Sequence, residues 1–156
     1  MVLAVWITDR TQNDIDYAKE LNRKAISGEW TIAEQTEWLK GLKGSLSYTD
    51  FNRIESGMAE IANFFNVKIS TKTDWVENGF LTQSDVQRWL DNCSAIRTFH
   101  SGKGQVLNPK MIGKIGFEDM NLMESFLSEV ERISRDNQIY CSEPVCGGEF
   151  YYAYSL

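Results

Sequence analysis

The side chains of this chain that could carry out chemistry are carboxylates, a single histidine and three cysteines. A pair of carboxylates can hydrolyse a glycosidic bond when its surroundings raise the pKa of one of them. Five carboxylates fall on one predicted helix: Glu118, Asp119, Glu124, Glu129 and Glu131. Most of them fall on the polar face of that helix, where solvation keeps the pKa of a carboxyl group ordinary. The pattern therefore predicts no general acid.

The remaining chemical signals are weak. His100 falls at the predicted end of a helix, where the helix dipole stabilises a charged imidazole. Zinc prefers paired Cys and His ligands, and Cys141-x4-Cys146 with one distant histidine does not form such a set. The glycines of residues 102–104 follow no strand and precede no phosphate-binding Lys-Ser/Thr. We therefore predict no catalytic residue, no cofactor, no metal and no enzymatic activity.

The three cysteines are an odd set, and in a reducing compartment we expect free thiols. Cys93 falls on an apolar helix face and is predicted to lie in the core. Cys141 and Cys146 flank Pro144, and a disulfide between them would require an oxidising medium. The sequence leaves that pairing open.

The charge is acidic and evenly distributed. Sixteen Lys and Arg residues are outnumbered by twenty-two Asp and Glu residues, and each half of the chain carries −3 of the net −6. Because nucleic-acid binding needs Lys and Arg clustered on one face, this balance argues against it. The apolar run of residues 1–7 ends before Asp9 and is too short for a signal peptide or a membrane span. We expect neither a nucleic-acid nor a membrane partner, and folding in a cytoplasm.

The apolar spacing predicts five helices that position these groups. The first covers about residues 13–27 and stops at Gly28. The second opens with Thr31 and Glu34, whose side chains form a capping box. It directs three apolar side chains inward: Trp38, Leu39 and Leu42.

The other three helices carry the most regular apolar stripes. The third begins near Thr49, the fourth near Thr82, and the fifth covers about residues 117–135. On the third helix the stripe consists of Phe51, Ile54, Met58, Ile61 and Phe65. Such stripes are more often buried core faces than cofactor slots. We predict that these helices build the core, with a long loop at residues 101–116.

Short strands are predicted at both ends, at about residues 3–7 and 138–154, and a further one is considered at residues 67–71. The predicted fold is a single mainly α domain of the α+β class covering residues 1–156, with a helical body at about 11–135. The last strand is aromatic on both faces, which makes four side chains a candidate contact surface: Phe150, Tyr151, Tyr152 and Tyr154. Alternatively, this strand folds back beside residues 3–7 and closes the core.

A Thr-Asp dipeptide recurs three times, at residues 8–9, 49–50 and 73–74. Two of the three stand directly before a predicted helix, where their side-chain oxygens can accept hydrogen bonds from the free N–H groups of the first turn. Arg10 and Arg53 each follow an Asp closely and could hold it by a charge-assisted bond. These residues are therefore predicted to serve structure rather than chemistry.

Several motifs resemble a family of small tail-associated proteins from phages and prophages of Gram-positive bacteria. The resemblance is carried by residues 6–11, 37–44, 48–55, 71–75 and 89–92, and by the helix that begins at Phe117 with Asn121 and Glu124. It covers most of the chain. It implies a virion protein of the distal tail, baseplate or fibre region with no catalytic residues.

The resemblance also implies partners and roles. The partners would be other phage tail proteins, further copies of this chain and host cell-wall glycan, and the protein would reside in the virion tail. A set of residues would cap the helices and lock them together: Trp6, Thr8, Asp9, Arg10, Tyr48, Thr49, Asp50, Arg53 and Trp75. The contact function would lie in the aromatic side chains of residues 150–154.

Two other functions remain open. A carbohydrate-binding module would recognise cell-wall glycans by stacking sugars on Trp or Tyr. A small acidic inhibitor of a host protein would imitate phosphate with its negative charge. The even charge distribution weakens this last hypothesis, because mimicry usually concentrates carboxylates.

Overall fold

The computed structural model describes residues 4–77, 79–99 and 115–142. Five α-helices follow one another in these ranges: α1 (Gln12–Ser27), α2 (Ile32–Lys40), α3 (Tyr48–Phe64), α4 (Gln83–Phe99) and α5 (Phe117–Ser142). The predicted number and order of the helices are thus confirmed. None of the helices in these ranges is both long and apolar enough to cross a membrane.

The predicted α+β class is wrong, because the described residues contain helices and no strand. Residues 4–7 and 67–71 are neither helical nor paired with another strand. Residues 138–142 continue α5, since no glycine or proline interrupts the sequence before Pro144. The predicted loop at 101–116 falls almost wholly outside the described residues, as do residues 143–156 with the aromatic side chains of 150–154. The aromatic contact surface therefore stays a prediction.

Four helices begin with the same pairing of a hydroxyl residue and an acid three positions later. The pairs are Thr11 and Asp14, Thr31 and Glu34, Ser47 and Asp50, and Thr82 and Asp85. In α2, hydrogen bonds from Lys24 and from the backbone N–H and hydroxyl of Thr31 lower the pKa of Glu34 to about 2. The predicted capping box at Thr31 is confirmed. The N-caps of α1 and α3 are Thr11 and Ser47 rather than the Thr-Asp dipeptides at 8–9 and 49–50, although Asp50 is the acid of the α3 pair.

The core lies between α3, α4 and α5, with α3 packed against both of the others. As predicted, the apolar stripes of these helices form the core. Its buried side chains are Phe51, Ile54, Met58, Ile61, Trp89, Cys93, Ile96, Met120, Met123, Leu127 and Val130. Trp75 also packs into this core, although it lies between helices. The three longest helices thus form the body that positions all other groups.

α1 and α2 form a peripheral hairpin. α1 buries Ala18 and Leu21, whereas α2 buries no residue. The inward orientation predicted for Leu39 is wrong, because its side chain is 85% exposed. Trp30 and Trp38 pack edge to face, with ring centroids 6.3 Å apart. This aromatic pair packs α2 against the segment before it. With nine residues, α2 is too short to bury an apolar face on both sides.

The segment between α2 and α3 approaches the backbone of α1 closely at Gly44. A Cβ atom on Gly44 would lie 1.9 Å from the carbonyl oxygen of Asp14. Because the obstructing atoms belong to the α1 backbone, Gly44→Ala should lower the free energy of unfolding by about 1–3 kcal/mol. Urea unfolding followed by circular dichroism at 222 nm measures this loss.

A matched control for this variant is Gly28→Asn. Gly28 has a φ of 72° at the end of α1, and a Cβ atom there would have no neighbour within 4 Å. Because asparagine tolerates the left-handed region, we expect a change within about 1 kcal/mol. Equal losses for the two variants would contradict the close approach at Gly44.

Candidate functional site

The charged side chains with the most unusual environments are three buried glutamates. Glu55 and Glu124 have no exposed surface, and Glu131 is 4% exposed. Glu118 and Glu129 lie on the exposed face of α5, as predicted for most of its carboxylates, whereas Glu124 and Glu131 do not. The sequence does contain a signal for them. They lie seven residues apart, in register with the buried stripe of Met120, Met123, Leu127 and Val130.

Glu124 of α5 binds two arginines and a backbone amide. Its Oε1 accepts from Nη2 of Arg10 at 2.8 Å and from Nη2 of Arg53 at 3.2 Å. Its Oε2 accepts from Nη1 of Arg53 at 2.6 Å and from the backbone N–H of Ile7 at 2.7 Å. Both oxygens are therefore fully occupied. Two cations against one buried anion explain how the carboxylate is kept inside the protein.

Glu55 of α3 has an equally complete set of donors. Its Oε1 accepts from the indole nitrogens of Trp89 at 2.9 Å and Trp75 at 3.3 Å, and from Nη2 of Arg88 at 2.5 Å. Its Oε2 accepts from the backbone N–H of Lys72 at 2.6 Å. The hydrogen bond to Glu55 also raises the pKa of Arg88. This glutamate therefore anchors α4 and the segment before it to α3.

Glu131 has a different role at the other end of the same face. Its Oε2 accepts from the indole nitrogen of Trp6 at 2.5 Å. The six-membered ring of Trp6 lies against α3 at Gly57, where a Cβ atom would come within 2.4 Å of the ring. Glu131 and Gly57 together fix the indole between α3 and α5.

The three carboxylates are arranged for support rather than for proton transfer to a substrate. A general acid or base needs an oxygen within hydrogen-bond reach of a reacting group. In Glu55 and Glu124 every carboxylate oxygen is already held by internal donors, and neither residue reaches the surface. In the part of the chain that the structure describes, no three His, Cys, Asp or Glu side chains are grouped so that they could hold a metal ion.

The residues predicted to lock the helices occupy both carboxylate clusters. Arg10 and Arg53 converge on Glu124, and Trp75 reaches Glu55. Arg53 also binds Asp50, three residues before it, at 3.1 Å. Arg10 does not bind the neighbouring Asp, because its guanidinium points to Glu124.

The other predicted lock residues lie nearer to solvent. Asp9 pairs with Lys43 at 2.7 Å, and its side chain is 77% exposed. Thr8 is exposed, the hydroxyl of Thr49 contacts that of Ser47, and Tyr48 is 38% exposed. Glu55, Glu124 and Arg88, which hold the clusters together, are not among the residues predicted to lock the helices.

Cys93 lies in the core as predicted, and burial raises the pKa of its thiol to about 12. The thiolate is the reactive form, so the native protein should protect Cys93 from alkylation. In a Cys141→Ser/Cys146→Ser variant, we expect no iodoacetamide labelling at pH 8 until denaturant is added. Mass spectrometry of the intact protein gives the result, and rapid labelling of the folded protein would contradict the burial of Cys93. Above pH 9 the thiol of the unfolded chain ionises first, so stability should fall as the pH rises towards 12.

Three of the most exposed large apolar side chains of the described residues lie on the hairpin, and a fourth, Phe80 between α3 and α4, is 83% exposed. Ile26, Ile32 and Leu39 are 81%, 82% and 85% exposed. Ile32 and Leu39 are seven residues apart on α2 and therefore share one face.

No family model, curated protein or solved structure matches this chain.

Proposed function

We propose that this protein is a non-enzymatic structural component of a phage tail, in the distal tail, baseplate or fibre region. It acts through contacts with other tail proteins and with further copies of itself, and it resides in the virion. Two lines of argument support the proposal. One is the resemblance of the motifs at residues 6–11, 48–55 and 71–75 to small tail-associated proteins. The other is that the described structure uses residues of these motifs to hold buried carboxylates inside the fold.

The arginines of these motifs form hydrogen bonds and ion pairs inside the protein. Arg10 and Arg53 neutralise Glu124, and Trp75 donates to Glu55. A motif that holds a fold together needs no substrate, which fits a protein that works by presenting a surface. This internal use of the motif residues favours a binding protein over an enzyme.

The observation that carries the contact role in this proposal is the exposed apolar face of the hairpin. Isolated exposed aliphatic residues are common, but Ile32 and Leu39 share a face of a helix that has no fully buried residue. Covering such side chains stabilises a complex by about 25 cal/mol per Å² of apolar surface. We therefore assign the hairpin as a contact surface for a neighbouring tail protein, alongside the aromatic residues predicted at 150–154.

The carbohydrate-binding alternative has exposed aromatic side chains at Tyr17, Tyr48 and Phe80, but no exposed tryptophan among the described residues. Sugars stack on exposed aromatic faces, but Trp75 and Trp89 are buried and the other three tryptophans are partly buried. Trp6 is held by Glu131, while Trp30 and Trp38 pack on each other. The inhibitor alternative draws no specific support from the charge, which is evenly distributed along the chain.

The proposal is tested by quantitative peptide mass spectrometry of gradient-purified phage particles from the strain that encodes this chain. We expect the protein in a fixed small-integer ratio to the known tail components. Its absence from particles, with abundant protein in the infected cells, would overturn the proposal. The search for a host target would then come first.

The contact surface is tested in the same particles with two double variants of α2. Ile32→Gln/Leu39→Gln removes the exposed apolar pair, and Ala33→Gln/Lys40→Gln changes two exposed positions of the same helix as a control. We expect the first variant to fold normally and to be incorporated at least about tenfold less, which corresponds to 1.4 kcal/mol. Equal incorporation of both variants would rule out this face of the hairpin.

A further inference from the structure

Two non-helical segments of this chain are held by equivalent side chains on two different helices. In the first, residues 7–10, the backbone N–H of Ile7 donates to Glu124 at 2.7 Å. The backbone N–H and C=O of Arg10 both bind the side-chain amide of Asn121, at 3.0 and 2.8 Å. The side chain of Arg10 then donates to the second oxygen of Glu124 at 2.8 Å. One asparagine and one glutamate thus hold the two ends of segment 7–10.

The second segment, residues 72–75, makes the same four kinds of hydrogen bond, with the indole of Trp75 in place of the guanidinium of Arg10. The backbone N–H of Lys72 donates to Glu55 at 2.6 Å. The backbone N–H and C=O of Trp75 both bind the side-chain amide of Asn52, each at 2.9 Å. The indole N–H of Trp75 then donates to the second oxygen of Glu55 at 3.3 Å. Segments 7–10 and 72–75 share the sequence x-Thr-Asp-x.

The helices that hold the segments also correspond. α3 carries Asp50-x-Asn52-x-x-Glu55, and α5 carries Asp119-x-Asn121-x-x-Glu124. The two aspartates have the same task, since Oδ2 of Asp50 accepts from the N–H of Ser47 at 3.0 Å and Oδ2 of Asp119 from that of Gly116 at 2.9 Å. The buried positions follow in register: Phe51 with Met120, Ile54 with Met123, Met58 with Leu127, and Ile61 with Val130.

The third component is an arginine from a neighbouring helix. Arg53 of α3 donates to Glu124 of α5, and Arg88 of α4 donates to Glu55 of α3. Each arginine is also bound by the aspartate three residues before it, Asp50 or Asp85. Each carboxylate therefore receives a backbone amide, the side chain of the fourth segment residue and an arginine.

We infer that α3 and α5 carry two copies of one peptide-binding site, built from Asn-x-x-Glu and a neighbouring arginine. The ligand of each site is a four-residue segment whose fourth residue has an N–H donor in its side chain. The two units of the chain are reciprocal. The first runs from segment 7–10 to α3 and the second from segment 72–75 to α5, and the helix of each unit binds the segment of the other.

The two central residues of each segment are not contacted by the site. The side chains of Thr8, Asp9, Thr73 and Asp74 are exposed. Their backbone N–H groups have no hydrogen-bond partner among the described residues. The site therefore forms hydrogen bonds with the first and fourth residues of a segment, and the second and third residues face solvent.

This rule predicts a pattern of amide hydrogen exchange, which NMR measures on the intact wild-type chain. Amides that are hydrogen-bonded to buried groups exchange slowly. We expect slow exchange at Ile7 and Arg10 with fast exchange at Thr8 and Asp9, and the same alternation over residues 72–75. Uniformly fast exchange in either segment, or protection in only one of them, would overturn the inference.

Matched variants test which helix holds which segment. Asn121→Ala should accelerate exchange at Arg10 by about tenfold and leave Trp75 unchanged, and Asn52→Ala should do the reverse. Asn63→Ala, at an exposed position of α3, should alter neither. Equal acceleration of both segments by either site variant would contradict the pairing. If the site variants unfold, the wild-type exchange pattern decides.

Discussion

Glu124→Gln should lower the free energy of unfolding by about 3–5 kcal/mol, the usual cost of breaking a buried ion pair. The substitution keeps the size of the side chain and removes its charge. Arg10, whose side chain is 3% exposed, would then lack its carboxylate partner. Its Nε has no partner in the described structure, so besides any bond to the new amide oxygen only the bond from Nη1 to the carbonyl oxygen of Ile7 would remain.

The geometry of the amide adds to this cost. A glutamine can present only one oxygen, so its NH₂ group must face N–H groups that now donate to the carboxylate. Ile7 and Arg53 both donate to Oε2, and Arg10 and Arg53 to Oε1. Whichever way the amide turns, two donors lose their acceptor. An unsatisfied buried donor costs about 1–3 kcal/mol.

Glu129→Gln is the matched control on the same helix. Glu129 pairs with Arg132 at 2.8 Å, and both side chains are 55% exposed. Exposed pairs contribute about 0–1 kcal/mol, so the control should be nearly neutral. Urea unfolding at pH 7, followed by circular dichroism, separates the two cases. A loss below about 1 kcal/mol for Glu124→Gln would show that the carboxylate of Glu124 does not hold the arginines as described.

Trp89→Ala should have an effect of similar size, about 3–5 kcal/mol, because it opens a large cavity in the core. Trp89 has no exposed surface, and its ring centroid lies 5.9 Å from that of Phe51. The variant also removes the indole N–H that donates to Glu55 at 2.9 Å. The loss therefore combines apolar packing with a hydrogen bond to a buried charge.

Trp38→Ala is the control for this prediction. Trp38 is partly buried and packs on Trp30 in the hairpin, away from the α3–α5 core. We expect a clearly smaller loss of stability and a preserved helical spectrum. Circular dichroism is the suitable probe, since both variants remove a fluorophore. Equal losses for Trp38→Ala and Trp89→Ala would place the hairpin tryptophans in the main core instead.

The helices could be predicted from the sequence because their apolar spacing is regular. Ile54, Met58 and Ile61 recur at intervals of three and four, and burial follows that spacing directly. Thr31 and Glu34 marked the start of α2 for an equally local reason. Leu39 is predicted to point inward with Trp38 and Leu42, but the short hairpin has no core for it to face, and its side chain is 85% exposed.

The carboxylate clusters could not be predicted in the same way. Charge and solvation assign a glutamate to the surface unless its partners are known, and those of Glu124 are far away in the sequence. A strand is predicted at residues 3–7 because they are apolar, but in the described residues 4–7 the backbone N–H of Ile7 donates to Glu124 of α5 and the C=O of Val5 accepts from Arg53 of α3. The Thr-Asp repeat was visible, whereas the Asn-x-x-Glu sequences that bind beside it looked like ordinary helix surface.

The distance along the chain between Ile7 and Glu124 has a consequence for synthesis on the ribosome. The two residues are 117 positions apart, and Trp6 and Glu131 are 125 apart. At about 5–20 residues per second, segment 7–10 waits on the order of 10 s for its helix to be made. During that time Arg10 and Trp6 remain hydrated while α1 to α4 are already complete. Segment 7–10 is translated before α5 and therefore docks late, and a nascent chain truncated before α5 would keep this segment accessible to chaperones and proteases.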